Sequence, residues 1–365
     1  MTQRVDAPEG TAGSTPPTVR PVPDGPVRPA PDGPVLDVRN LSVEFTAGKA
    51  TVRAVRGISY TVAAGETIGI VGESGSGKSA SALALLRLLP ANGRVSGGQA
   101  LLGTTDLLTL ASRPLNDLRG GSVAMVYQDP LSALNPVLTV GRQITEVIER
   151  HRRVSHREAE RRAMELLDIV GIPGAKRRLG EYPHQFSGGM RQRVMIAMAI
   201  SCAPTLLIED EPTTALDVTV QAQILDLLGE LKRELGMALI VITHDLGIVA
   251  GITDRVLIMY AGRIVEEGPT EDVLDDPRMP YTLGLLRSVP RLDLPRQSAL
   301  TPIPGTPPDP TVVTAGCPFL PRCPFRIDRC RAENPALDNV GPGHRIACWV
   351  DVTVGAPRSA DGVTR

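Results

Sequence analysis

Residues 72 to 79 read Gly-Glu-Ser-Gly-Ser-Gly-Lys-Ser, with an apolar run of strand character before them, Thr67 to Val71, and one of helical character after them, Ser79 to Leu89. A strand that passes through glycines into a helix offers main-chain N–H groups and the positive end of a helix dipole to an anion. Lys78 adds a point charge for the outer phosphates of a polyphosphate, and the Ser79 hydroxyl can ligate Mg2+. The flanking elements make this stretch a phosphate cradle rather than a loose Gly/Ser loop.

With 365 residues, 42% hydrophobic and a formal net charge of -1, the chain suits one large or two smaller domains. No stretch approaches the roughly 18 consecutive apolar residues of a membrane span, and the N-terminus lacks a basic-then-apolar signal pattern. The chain is therefore expected in the cytosol. Its near-neutral charge removes the bulk electrostatic argument for a nucleic-acid partner, and none is expected.

Residues 1–34 hold nine prolines and a repeated Pro-Asp-Gly-Pro-Val, at 23–27 and 31–35, and read as a disordered leader. Strand signals begin at Val35, run through Phe45, and resume from Ala54 to Val62. Val123 to Tyr127 reads as a short buried strand ending at Gln128, and Asp129-Pro130 then opens a helical region. There Ser155 and Glu158 have capping-box spacing, and Ala159, Ala163, Leu166, Leu167 and Val170 share one helix face.

A second helix is expected from Ser187, its N-cap, through the small residues Val194 to Ala203, stopping before Pro204. Gly188 and Gly189 leave its first turn open to an anion. Thr205 to Ile208 forms a buried strand that carries Glu209, Asp210 and Glu211 to its carboxyl end. Three adjacent carboxylates are costly there unless a metal or a water network uses them. Asp210 suits the water shell of Mg2+, and Glu211 suits polarisation of a water attacking a terminal phosphate. A further strand, Ala238 to Thr243, puts His244 at the same edge, where ligands bind in open α/β sheets.

The phosphate loop, Gln128, Ser187-Gly188-Gly189, Asp210-Glu211, Ala215-Leu216-Asp217 and His244 follow one another in the order and spacing of an ABC transporter ATP-binding subunit, which residues 35–270 resemble. The resemblance implies an α/β P-loop ATPase domain over 35–268, a RecA-like core with a helical subdomain at about 130–203. It implies ATP bound by Gly72, Ser74, Gly75, Ser76, Gly77, Lys78, Ser79 and Ala80, with Phe45 stacked on adenine. Mg2+ would be held through Ser79, Gln128 and Asp210. Glu211 would be the general base, Gln128 would sense the γ-phosphate and link to the transporter, and His244 would contact the γ-phosphate. Ser187, Gly188 and Gly189 would complete the ATP site of a second ABC ATPase subunit, a second copy or a paralogue, with Asp217 in the intervening loop.

Closing and opening of that dimer would drive two membrane permease subunits, served by an extracytoplasmic solute-binding protein, at the cytoplasmic face of the membrane. Two departures stand out. Phe186 and Met190 flank the Ser-Gly-Gly where Leu and Gln are usual, and Glu209 stands where a small residue is usual. The extra carboxylate is expected to raise the pKa of Glu211 by like-charge repulsion.

Pro280-Tyr-Thr-Leu283, Pro302-Ile-Pro-Gly-Thr-Pro-Pro308 and Gly316-Cys-Pro-Phe-Leu-Pro-Arg-Cys-Pro324 are similar to the C-terminal extension of oligopeptide/dipeptide importer ATP-binding subunits, over residues 269–350. On this resemblance the solute is a di- or oligopeptide, although nickel complexes and some glycosides use similar subunits. Residues 351–365 read as a disordered tail. Four of the five cysteines fall in the extension, Cys317, Cys323, Cys330 and Cys348, whereas Cys202 reads as core packing. Disulfides are not expected in the cytosol. The spacing lacks a Cys-x2-Cys zinc knuckle and leaves an all-thiolate iron–sulfur cluster, zinc and reduced structural cysteines as readings. The resemblance implies a [4Fe-4S] cluster. The alternative for the whole chain is a soluble ABC ATPase of DNA repair, translation or iron–sulfur assembly, a class with long coiled-coil insertions or paired ATPase domains that this sequence lacks.

Overall fold

The computed structural model describes residues 33–211, 217–288, 302–312 and 314–358. The proline-rich leader through residue 32, Ala215, Leu216 and the last seven residues of the tail lie outside the described residues.

Two sheets organise the chain. Strands β1 (Leu36–Ala47) and β2 (Ala50–Val62) form an antiparallel hairpin, and β3 (Thr67–Val71) leaves it for a second sheet. After helix α1 (Lys78–Leu85), β4 (Gly93–Leu102) and β5 (Thr105–Asp106) return to the first sheet, which has the order β2-β1-β4-β5. Helix α2 (Ser112–Leu118) leads to β6 (Val123–Val126) on the second sheet. Five helices follow, α3 (Pro130–Ala133), α4 (Val140–Arg152), α5 (His156–Ile169), α6 (Ala175–Arg178) and α7 (Gly188–Ile200). Strands and helices then alternate through β7 (Leu206–Asp210), α8 (Val218–Leu235), β8 (Ala238–Thr243), α9 (Leu246–Ile252) and β9 (Arg255–Tyr260), as parallel pairing requires. Strand β10 (Arg263–Pro269) turns back antiparallel to β9.

Strands β3, β7 and β8 are buried along their whole length, which is why they read as unbroken apolar runs rather than alternating ones. Their two faces serve two cores. Ile68, Ile70, Leu206 and Ile208 pack with Val38, Leu41 and Tyr60 of the first sheet. Leu207, Leu239 and Val241 pack with Ile196 and Ile200 of α7 and with Ile224 and Leu228 of α8.

The helical block is built on the expected stripe. Ala159, Ala163, Leu166, Leu167 and Val170 are fully buried, and the Ser155 hydroxyl accepts from the Glu158 N–H at 3.3 Å. Such a cap contributes about 1 kcal/mol, and each buried leucine contributes roughly 1.5–3 kcal/mol. Helix α1 ends four residues short of the expected Leu89. Arg87 takes a left-handed φ of 51° and donates its N–H to the Ala84 carbonyl, while the Leu88 N–H reaches back to Leu83 at 2.8 Å. This pair of hydrogen bonds is a Schellman stop without its usual glycine.

The C-terminal region continues the second sheet. Beyond α10 (Thr270–Asp275) and α11 (Pro280–Ser288) come α12 (Arg329–Ala332), β11 (Asp338–Gly341) and β12 (His344–Ile346). Strand β12 pairs with β10 through Glu266 and Glu267, so the sheet reads β11-β12-β10-β9-β3-β8-β7-β6. Tyr260, Tyr281 and Phe319 meet in a third core, with ring centroids 4.6 to 5.4 Å apart. Residues 351–358, read from sequence as tail, are ordered: β13 (Val350–Asp351) pairs with β14 (Ala356–Pro357).

Candidate active site

The loop between β3 and α1 is shaped by positions that exclude side chains. A Cβ on Gly72 would lie 2.2 Å from the Met259 carbonyl oxygen, and one on Gly77 would lie 2.3 Å from that of Ala54. Gly77 also has a φ of 104°, open to glycine alone at little cost. Lys78, 5% exposed, folds over the loop and donates to the carbonyls of Gly72 at 2.7 Å and Glu73 at 3.1 Å. Burial pushes its pKa down, and the carboxylates of Glu211, Asp210 and Glu73 oppose that. The Ser76 hydroxyl is buried in the loop with no partner among the described residues. A closely wrapped loop, an unpaired hydroxyl and a helix start fit an anionic ligand such as a polyphosphate.

Three strands deliver side chains to the same edge. Strand β7 ends in Asp210, whose carboxylate accepts from the Ser79 hydroxyl at 2.9 Å. Burial pushes the Asp210 pKa up, and the Ser79 hydrogen bond acts against it. Glu211 follows with a φ of 52°, rare for a residue with a Cβ, and its N–H donates to the Ile242 carbonyl of β8. The turn aims the Glu211 carboxylate at two partners. Gln128, just after β6, donates its Nε2 to it at 2.7 Å, and His244, just after β8, places Nδ1 3.3 Å away.

Strand alternation sends Glu209 the opposite way from Asp210, and both its oxygens are fully buried without a partner among the described residues. Burial first, and the charge of Asp210 second, raise its pKa well above the ordinary carboxylate value. Burial thus favours the uncharged form of Glu209. The expected repulsion needs Glu209 to be charged, and desolvation acts against that form.

Gly72 to Ala80, Gln128, Glu211 and His244 all face one open cleft of about 1170 Å³. Phe45 does not face it. Its ring lies over Gly93, where an added Cβ would come within 2.7 Å, and packs toward the core between the sheets. Strand β2 supplies Val52, Arg53, Ala54 and Arg56 to the cleft wall instead. Ser187, Gly188, Gly189 and Asp217 form a second group outside the cleft. Ser187 caps α7 by accepting from Met190, Asp217 caps α8 by accepting from Val220, and a Cβ on Gly189 would meet Val220 Cγ1 at 2.7 Å.

The four C-terminal cysteines line one small enclosed pocket with Phe319 and Trp349. Burial pushes the thiol of Cys317 up, that of Cys323 up to about 11 and that of Cys348 up to about 12. Among the described residues no three or more His, Cys, Asp or Glu side chains are drawn together tightly enough to hold a metal ion. The four sulfurs therefore share a pocket without forming a closed ligand shell.

Sequence reasoning missed one group at the cleft. Arg322 of the C-terminal region forms a fork on the Glu73 carboxylate of the phosphate loop, at 2.6 and 2.9 Å, and Tyr281 accepts the Glu73 N–H at 2.9 Å. Both residues lie in the stretches similar to importer extensions, but nothing local in those stretches points at the loop.

A sequence-family profile described as "ABC transporter" matches residues 55–214, and one described as "Oligopeptide/dipeptide transporter, C-terminal region" matches residues 265–330. The oligopeptide transport ATP-binding protein OppD of Salmonella typhimurium is 52% identical over 318 residues, covering 87% of this chain and 94% of that protein. This chain belongs to the ABC family of oligopeptide/dipeptide transport ATP-binding proteins. A second family member, the dipeptide transport ATP-binding protein DppD of Bacillus subtilis, is 49% identical over 317 residues, 87% of this chain and 94% of the relative. Among solved structures, the dimeric post-hydrolysis state of the ATP-binding cassette MJ0796 bound to ADP and Pi superposes with a TM-score of 0.58 at 27% identity. It covers 64% of this chain and 98% of the cassette, which gives the family's ATPase fold to the core described above.

Proposed function

We propose that this family member binds and hydrolyses ATP to drive import of oligopeptides or dipeptides through a membrane transporter. The observation that carries the reading is the meeting of three segments on one carboxylate: Glu211 engages both Gln128 and His244, directly after the Ser79–Asp210 pair. Gly72, Ser74 to Gly77, Lys78, Ser79 and Ala80 bind the phosphates. Ser79, Gln128 and Asp210 offer a hydroxyl, an amide and a carboxylate, the hard oxygen donors that Mg2+ selects. When bound, that ion neutralises charge on the outer phosphates. Glu211, aimed by its left-handed backbone, takes a proton from the attacking water, and Gln128 and His244 fix the direction of its carboxylate.

Ser187, Gly188 and Gly189, with Asp217 beside them, serve the ATP site of a partner ATPase subunit, which is why they stand outside the chain's own cleft. The closed pair acts on two permease subunits at the cytoplasmic face of the membrane, with an extracytoplasmic solute-binding protein delivering the peptide. No described helix is long and apolar enough to cross a membrane, which suits a peripheral subunit. A [4Fe-4S] cluster in the extension would take the four thiols around one pocket as thiolate ligands, and holding it would require them to close into the shell they do not form here.

The test is reconstitution with the permease subunits in vesicles, measuring ATP hydrolysis and uptake of labelled peptides for the native chain and Glu211→Gln. Uptake and hydrolysis lost together in the variant, with ATP still bound, is the expected result. Hydrolysis without any peptide flux would sink the transport reading and leave the ATPase. For the cluster, anaerobic purification with iron and sulfide assays should find about four of each per chain, lost in Cys323→Ser. Zinc or no metal withdraws it.

A further inference from the structure

Glu73 is where the phosphate loop and the C-terminal region join. Within the loop, its carbonyl accepts from Lys78 Nζ at 3.1 Å and from the Ser76 N–H at 3.2 Å. From the other side, its carboxylate is gripped by both Arg322 nitrogens and its N–H donates to the Tyr281 hydroxyl. Arg322 is 5% exposed, sits about 6 Å over the rings of Tyr260 and Phe319, and donates its Nε to the Pro304 carbonyl at 3.0 Å. Tyr281 is fully buried in the same ring cluster. A two-pronged, charge-assisted contact made from a packed base fixes direction as well as distance.

The same region also reaches the rim of the cleft. Pro307, Pro308 and Pro310 line it, and the Arg53 N–H of β2 donates to the Pro310 carbonyl at 3.3 Å. One of the two carbonyls that position Lys78 thus belongs to Glu73, the residue that the C-terminal region holds in place.

We propose that Arg322 and Tyr281 are positioning residues for ATP: by anchoring Glu73 they set the shape of the phosphate loop, so that nucleotide affinity depends on the C-terminal extension. Neither residue touches the reacting atoms. With the anchor in place, the loop enters binding already in its cradle form and ordering it costs the ligand little. Without it, part of the binding energy goes into ordering the loop, and the apparent affinity falls by the fraction of time the loop is correctly shaped.

The test uses the full chain and a fluorescent ATP analogue, with Kd, KM and kcat measured for Glu73→Gln, Arg322→Gln, the double variant and Tyr281→Phe. Arg345→Gln, which removes an extension ion pair to Glu267 away from the loop, is the control. Each of the first two variants should raise the nucleotide Kd about tenfold, equivalent to about 1.4 kcal/mol. The double variant should be no weaker than the worse single one, because both remove one contact. Tyr281→Phe, which keeps the ring packing, should cost about threefold, the size of one neutral hydrogen bond. In all of them KM should change more than kcat, while Arg345→Gln leaves Kd unaltered. If Arg322→Gln fails to fold, Glu73→Gln and Tyr281→Phe decide the matter, since the first removes a charge and the second a hydroxyl without opening a large cavity. An unchanged Kd in those two, or additive losses in the double variant, overturns the proposal.

Discussion

Ser79 and Asp210, 131 positions apart, share a hydrogen bond of 2.9 Å that ties the first turn of α1 to the end of β7. It joins the loop that receives phosphate to the strand that ends in the carboxylates, across the central sheet. Each side chain offers an oxygen to the same point, so removal of either should weaken Mg2+ more than nucleotide.

Asp210→Asn keeps the shape and the hydrogen bond but loses the charge. Hydrolysis should fall at least about a hundredfold, and the Mg2+ concentration for half-maximal activity should rise, because a charged oxygen ligand has become neutral. An unchanged Mg2+ dependence in a titration of the variant would place the ion elsewhere.

Glu211→Gln tests the base. The amide can still meet Gln128 and His244, so the cleft should keep its form and ATP affinity should stay within about threefold, while hydrolysis drops by about a thousandfold, the scale of general-base loss. Single-turnover measurement separates the two quantities, and a variant that hydrolyses at the native rate would show that the proton goes to another group.

Glu209 makes a prediction about pH. Its folded pKa is raised by burial while the unfolded chain has an ordinary carboxylate, so the folded state holds the proton more tightly. Stability is then fully present below the ordinary carboxylate range and is lost as pH rises toward the raised value, by about 1.4 kcal/mol per pH unit crossed. Glu209→Met should flatten that slope and melt higher than the native chain at pH 8, with little difference at pH 4. Its pH–rate profile should match that of the native chain, since burial favours the uncharged form of Glu209, which exerts no like-charge repulsion on Glu211. Chemical denaturation at the two pH values checks the first statement, and a shifted rate profile would favour the repulsion account.

Gly189→Ala puts a methyl 2.7 Å from Val220 Cγ1, a clash that costs about 1–3 kcal/mol to relieve by moving α7 against α8. The chain's own cleft is untouched, so nucleotide binding should persist while ATP-dependent dimerisation and hydrolysis fall about tenfold or more. Sedimentation with the slowly hydrolysed Glu211→Gln background reports the dimer directly.

Legibility in the sequence followed the range of the interaction. The strands β3, β7 and β8, the capped helix α5 and the phosphate loop were readable because each is written in a few adjacent residues, by apolar runs, a Ser-x-x-Glu spacing or glycines. The convergence of Gln128, Glu211 and His244 on one edge followed from their places at strand ends. What escaped was either sterically local or very distant. Arg87 ends α1 in a conformation that residues other than glycine rarely take, and Gly93 accepts the ring of Phe45 because it has no side chain. Both faces of β7 are covered, and which of them leaves Glu209 without a partner among the described residues is not disclosed by three carboxylates in a row. The Arg322–Glu73 fork spans 249 positions and has no local signature at either end.

The pairing of β12 with β10 decides what kind of unit this cassette is. Strip away the chain after β10 and a row of unpaired main-chain groups is uncovered on a long sheet, open to the next strand it meets. A shorter cassette cut from this one would therefore need a new cover for that edge, or would tend to stick to its own copies. The extension is part of the sheet's boundary, and it cannot be removed as an accessory without remaking the protein's solubility.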